Sequence, residues 1–375
     1  MELVQQLENL PEPVSRLLHE YRFDQDRLLR LAAGLKSGAR IDNLVKGQVS
    51  APLAEDVVSF AHAGAAERER WTRIGLEALA GGQVALVVLA GGMATRMGGV
   101  VKALVDAVPG KTFLDLRLRE AAAIERLAGR PVPLWLMTSS ATDAKLRQAL
   151  GSQRDGKLVA SFPQHLSIRL TPSGDLFRDA AGQYSLHAPG HGDLPDALRE
   201  SGLLRSFVQE GGRVVMVANI DNLGATVDPA IVGWHLEHGS PVSCEVVDKI
   251  GSDRGGIPIR VDGRPVVLEE FRIPPMFDPA TVRVFNTNTF LFDARALQSL
   301  DIPWTFFTVT KRVDGLPAIQ FERLVGEVTS YLNTRFLRVP RTGDQSRFLP
   351  VKDPEELLDR QSEIEEVARA RGMLP

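Results

Sequence analysis

Four short stretches of this chain are apolar almost from end to end: VALVVLA at 84–90, VPLWLM at 132–137, VVMVA at 214–218 and PVSCEVV at 241–247. The first three do not alternate apolar with polar residues, as a strand with one wet face would, while PVSCEVV is strand-like but carries Ser243 and Glu245 between its apolar residues. Unbroken runs of this length belong to strands covered on both faces, the condition of a parallel sheet flanked by helices. Helical stretches separate them: TFLDLRLREAAAIERLAG, ATDAKLRQALG, LPDALRESGLLRSFVQEGG and VDPAIVGWHLEHG. Strand–helix alternation predicts an α/β fold built on a mostly parallel sheet. In such sheets ligands bind beyond the carboxyl ends of the strands. Further strands are expected at GIPIRVDG, RPVVLEE and VRVFNTNTFLFD.

The flanks read differently. Residues 1–80 carry helical spacing in VSRLLHEYRFDQDRLLRLAAGL and AERERWTRIGLEALAGG, with a loop expected over 37–56. Three regions follow: a helical segment 1–80, an α/β unit 81–300, and a C-terminal part 301–375. The last is expected to hold a loop with Lys311, a helix running through FERLVGEVTSYL, a strand at TRFLRVPR and a closing helix opened by Asp353 and Pro354.

The 375 residues carry a net charge of −3. That gives no bulk electrostatic reason to expect nucleic acid or an anionic membrane as partner. One cysteine, Cys244, forms no intrachain disulfide and fits a reducing compartment. The N-terminus lacks the basic and unbroken apolar stretches of a signal peptide, and no run is long enough to span a bilayer. A cytoplasmic protein is the expectation.

The loop after the first strand, LAGGMATRMGGVVK, concentrates chemistry. Its glycines let backbone N–H groups approach an anion closely, and Arg96 and Lys102 add charge. The set suits an oligophosphate. It is neither the Walker A loop, which needs Gly-Lys-Ser/Thr, nor the dinucleotide G-x-G-x-x-G. The strand VVMVAN ends in Asn219 and Asp221, where ligands sit, and Asp221 is the best candidate ligand for Mg²⁺.

Six segments, in order, resemble the eukaryotic-type UTP–glucose-1-phosphate uridylyltransferase (UDP-glucose pyrophosphorylase) family. They are LAGGMATRMGGVVK, APGHGDLPDALRESGLLRSFVQEGG, VMVANIDNLGATVD, VFNTNTFLFD, TKRVDGLPAIQFERLVG and VPRTGDQSRFLPVKD, and the likeness covers roughly 70–355. The resemblance implies a Rossmann-like, GT-A-like nucleotidyltransferase fold. It implies that UTP and glucose 1-phosphate give UDP-glucose and pyrophosphate, with Mg²⁺ as cofactor. By this resemblance Leu89, Gly91 and Gly92 shape the nucleotide end of the loop, with Gln164 and Gly190 at the uracil. Arg96, Lys102 and Lys311 meet phosphates. His191 meets the sugar phosphate, and Asn219, Gly256, Glu269, Asn286 and Asn288 line the sugar pocket. Glu270 is an alternative to Glu269, and Lys352 a further cation.

Two residues depart from the family pattern. Ala94 stands where the loop usually has glycine, and Val101 where proline precedes the lysine. Alanine would strain the turn if that position needs positive φ. The Thr-Arg-Met-Gly stretch is also similar to the UDP-N-acetylhexosamine and broad UDP-sugar branches, whereas GHGD is similar to the glucose branch. A non-catalytic nucleotide-sugar sensor is the reading from another class. The chain ends soon after RFLPVKD, so it is expected to lack the family's C-terminal β-helix and to be a monomer or small homo-oligomer.

Overall fold

A computed structural model describes residues 2–36, 43–94, 97–251 and 253–375. The core is an eight-stranded sheet. Its strands, numbered along the chain, are β1 (Val57–Ser59), β2 (Val84–Leu89), β3 (Leu134–Thr138), β4 (Val159–Pro163), β5 (Val214–Asn219), β6 (Val242–Asp248), β7 (Val284–Asp293) and β8 (Thr334–Arg338). Their order across the sheet is β1-β8-β6-β7-β5-β2-β3-β4. Every pairing is parallel except the two made by β7, which runs against β5 and β6. The expected apolar runs form the centre: every residue of β2 and β3 is buried.

Helices cover both faces, as the alternation predicts. The approach of the Ala65–Ala80 helix to the Pro229–His238 helix depends on glycine. A Cβ on Gly75 would fall 1.8 Å from the Pro229 carbonyl oxygen, and one on Gly233 would fall 1.8 Å from that of Trp71. Both obstacles are backbone, so the helices would have to separate. Gly75→Ala and Gly233→Ala are each expected to cost about 3 kcal/mol or more, beyond ordinary overpacking. Urea unfolding measures this, and a loss below about 1 kcal/mol would mean the helices slide apart freely.

The flanks differ from the sequence expectation in three places. The 37–56 stretch, expected as a loop, contains Val49–Ser50, which pairs with Val261 and Arg260. The stretch around Lys311, also expected as a loop, is a hairpin of Phe307–Val313 and Leu316–Glu322 turned at Asp314-Gly315, both with positive φ. The helix expected after it is a 3-10 helix, Val325–Ser330. Alternating threonine and valine with a tight Asp-Gly turn is a hairpin signal. The N-terminal helices Leu3–Glu8, Glu12–Glu20 and Gln25–Lys36 pack on the 166–187 segment and this hairpin.

Candidate functional site

The carboxyl ends of β2, β3, β4 and β5 open on one edge of the sheet. The chain leaves β2 through Ala90, Gly91 and Gly92, then forms a small ladder in which Met93 pairs with Val101 and Ala94 with Val100. The turn of this flap uses Gly98 and Gly99, with φ of 81° and 73°. Ala94 is buried within the ladder and has no positive φ, so the strain anticipated there is absent. Val101 is likewise buried, its strand geometry standing in for proline. Arg96 lies outside the described residues.

Lys102 opens the 3-10 turn after the flap, its backbone N–H donating to Gly92 O at 3.3 Å. Its Nζ donates to Asp221 Oδ2 at 2.6 Å. Asp221 lies two residues beyond β5, and Oδ2 also accepts from Val351 N at 3.2 Å. The candidate phosphate cation and the candidate metal carboxylate are thus one ion pair, 119 residues apart in sequence. A local reading of either motif does not show that pairing.

Gln164 follows β4 and is buried against Gly91. A Cβ on Gly91 would lie 2.6 Å from Gln164 Nε2. A side chain at Gly91 would displace the Gln164 amide from this position, and the Gly91 carbonyl is held by Ser139 Oγ at 2.8 Å. Leu89 ends β2 directly before this corner, so Leu89, Gly91, Gly92 and Gln164 converge.

The GHGD glycines pack closely against the chain itself. Gly190 has φ of 104°, and its Cβ would meet Arg323 O at 2.7 Å. One on Gly192 would meet Arg323 C at 2.6 Å. Their close approach is to the chain's own backbone. It brings Val325 N to His191 Nδ1 at 3.1 Å. The accepting Nδ1 leaves the neutral ring's proton on Nε2. Burial pushes the His191 pKa down to about 4, against the smaller opposing pull of Glu322 and Asp193. His191 is therefore a neutral donor at pH 7.

A second group gathers around β7. Gly256 O accepts from Asn286 N at 2.8 Å, and a Cβ on Gly256 would meet Glu269 Oε1 at 2.8 Å. Glu270 turns instead to Lys249, at 3.6 Å. Burial, then Glu327 and Glu270, raises the Glu269 pKa to about 7. Asn286 and Asn288, two residues apart on β7, flank a bulge in the β6–β7 ladder, where the register shifts between Cys244 and Val246. Asn288 sits there in the left-handed region at φ 59°. Its Nδ2 donates to Asn219 Oδ1 at 2.9 Å, while Asn286 Oδ1 accepts from Asn288 N at 2.8 Å. A strained non-glycine residue at the end of a sheet is a recurrent property of ligand sites. Lys311, exposed on the hairpin, lies 3.5 Å from Glu322.

Sequence reading missed the supports. Arg117 is wholly buried; it pairs with Glu120 and donates to the carbonyls of Asn219, Asn222 and Ala225. Arg347 makes a buried bidentate pair with Glu245. Asn222 joins the 219–226 turn to the RFLP segment, donating to Arg347 O at 3.1 Å and accepting from Leu349 N at 2.8 Å. Arginines at helical or loop positions look like solvated surface in a sequence, and only their partners reveal otherwise.

Buried histidines set the acid response. His187, His191 and His235 have pKa values lowered by burial to about 3, 4 and 4. The unfolded chain takes up their protons below about 6.5, so stability falls as pH drops through that range. Glu269 opposes this, because its folded pKa is the higher one and favours the fold at lower pH. The balance predicts a loss of about 3 kcal/mol between pH 7 and pH 5. Equal urea midpoints at the two pH values would contradict it.

Comparison with known proteins gives this architecture a family. Curated relatives include UTP–glucose-1-phosphate uridylyltransferase 2 of Dictyostelium discoideum, 29% identical over 84% of this chain and 64% of its own length. The enzyme named UTP–glucose-1-phosphate uridylyltransferase in Hordeum vulgare is 32% identical over 75% of this chain and 62% of its own. The chain thus spans less than two thirds of these relatives. Among solved structures, UDP-N-acetylglucosamine pyrophosphorylase of Trypanosoma brucei superposes with a TM-score of 0.75 at 20% identity, covering 95% of this chain and 81% of that one. UDP-glucose pyrophosphorylase of Leishmania major gives 0.70 at 23%, covering 88% and 74%. These two establish the shared fold. The family model for UTP–glucose-1-phosphate uridylyltransferase matches residues 35–373, and the chain belongs to that family.

Proposed function

We propose that this chain transfers a uridylyl group from UTP to glucose 1-phosphate, releasing pyrophosphate. One observation carries the reading: the glycine corner, Gln164, Lys102 and Asp221 meet at one edge of the sheet, a nucleotide cradle with one cation and one carboxylate at its phosphate end. In this reading a phosphate oxygen of the sugar phosphate attacks the α-phosphorus of UTP in line. Both reactants are anions, so positioning and charge neutralisation supply most of the catalysis. Gln164 offers an amide donor and acceptor to the uracil edge, near Gly190. Lys102 and Lys311, with Arg96, balance the phosphates, and the Nε2–H of His191 donates to the sugar phosphate. Glu269, Gly256 and the Asn219–Asn286–Asn288 cluster face the hexose hydroxyls.

Asp221 is the group that would hold Mg²⁺. Among the described residues no cluster of three His, Cys, Asp or Glu could cage a metal. That suits Mg²⁺, which uses one or two carboxylates and takes its other oxygens from phosphates and water. The hydrogen bonds Asp221 accepts fall on Oδ2. When bound, the ion would draw charge from the phosphate oxygens.

The glucose reading rests on the names of the sequence relatives. N-acetylglucosamine 1-phosphate is the alternative substrate, on the likeness of the Thr-Arg-Met-Gly stretch to the UDP-N-acetylhexosamine branch. Among the described residues no helix is long and apolar enough to cross a membrane. Pyrophosphate release from UTP and Mg²⁺, with glucose, galactose and N-acetylglucosamine 1-phosphates in turn, tests the proposal. Fastest turnover with glucose 1-phosphate supports it. Preference for another sugar moves the specificity, and no turnover by protein that still binds UTP favours a sensor.

A further inference from the structure

We propose that Arg323 is a positioning residue that sets the uracil side and the sugar-phosphate side of the site in register. Its guanidinium is wholly enclosed. Nε donates to Asp193 Oδ1 at 2.6 Å, Nη1 to Asp196 Oδ2 at 2.6 Å, and Nη2 faces His165 Nδ1 at 3.3 Å. Trp304 stacks on it with its ring centre 4.9 Å away.

These contacts reach both halves. On one side, Asp193 Oδ2 accepts from His165 N at 2.9 Å, fixing the backbone immediately after Gln164. On the other, the Arg323 main chain grips the GHGD turn. Arg323 N donates to Pro189 O at 2.7 Å, and Gly192 N donates to Arg323 O at 3.0 Å. Two residues on, Val325 N holds His191 Nδ1. The planar fork is fixed by two carboxylates at once, so the main chain it carries has little freedom. A lysine has a single ammonium and cannot hold both directions.

The proposal rests on the nucleotide-and-sugar-phosphate reading of the site. Its test therefore includes a readout independent of turnover. Arg323→Lys is compared with Arg323→Met/Asp193→Asn, which removes the buried charge pair yet keeps an acceptor for His165 N. The expected result is a rise of about tenfold or more in KM for both UTP and glucose 1-phosphate in both variants. The ¹⁵N shifts of His191 are expected to move from the single Nε2–H tautomer toward a mixture. Wild-type protein that turns over no sugar would sink the functional reading alone, and the His191 shifts and UTP dissociation constants would still decide the positioning role. Variants that melt earlier but keep wild-type KM or UTP affinity, together with the His191 tautomer, would reduce Arg323 to a structural ion pair and overturn the proposal.

Discussion

Lys102→Met is expected to leave a folded protein whose UDP-glucose formation falls about 10³-fold, on the order of 4 kcal/mol of transition-state stabilisation. Among the described residues, Lys102 is the cation placed directly against Asp221, at 2.6 Å, on the edge where β2 and β5 end. Methionine keeps the stem and removes the charge. The pair is mostly buried, with the side chains 20% and 10% exposed, so the variant is also expected to lose some stability, and thermal melting separates that loss from the loss of turnover. Asp221→Asn is the companion variant. It keeps the shape of the side chain and an acceptor for Lys102 and Val351 N, yet removes the carboxylate. If Lys102 acts on phosphate and Asp221 on the metal, both variants lose turnover, and only Asp221→Asn raises the Mg²⁺ concentration needed for half-maximal rate. Pyrophosphate release with thermal melting separates these effects. A Lys102→Met rate within tenfold of wild type would remove Lys102 from the chemistry.

What the sequence discloses follows from how local each signal is. The apolar runs of β2, β3 and β5 are continuous over a few residues, so the centre of the sheet is legible in the chain itself. The same holds for the glycine corner, where a strand is followed by Gly91 and Gly92. The purpose of a glycine is less legible. Gly190 and Gly192 also admit the Arg323 backbone, more than a hundred residues downstream, a close approach that the local sequence does not show. The bulge that turns Asn288 left-handed depends on the register of β7 against β6 and cannot be seen in VFNTNTFLFD alone. The hairpin of Lys311 is legible in part, because Asp314-Gly315 between two strand-like runs is a local hairpin signal, but its place in the fold is not. Its inner face packs against the 166–176 segment, and that covering is a tertiary fact.

The same non-local logic underlies the largest stability effect expected. Arg347 donates to both oxygens of Glu245, at 2.8 Å and 2.5 Å, and to Thr226 O at 2.9 Å, with almost no solvent contact at either side chain. Replacing it by methionine leaves a carboxylate buried without a counter-charge. Breaking such a pair from one side typically costs about 3–5 kcal/mol. Glu245→Gln in the Arg347→Met background removes the stranded charge and is expected to recover more than half of that loss, measured as urea midpoints of the two single variants and the double. The site should feel the change too. Arg347 O and Leu349 N hold Asn222, the residue beside Asp221, so the single variant should weaken Mg²⁺-dependent turnover even in the folded fraction. A double variant no more stable than Arg347→Met would show that packing around the guanidinium, not the buried charge, carries the energy.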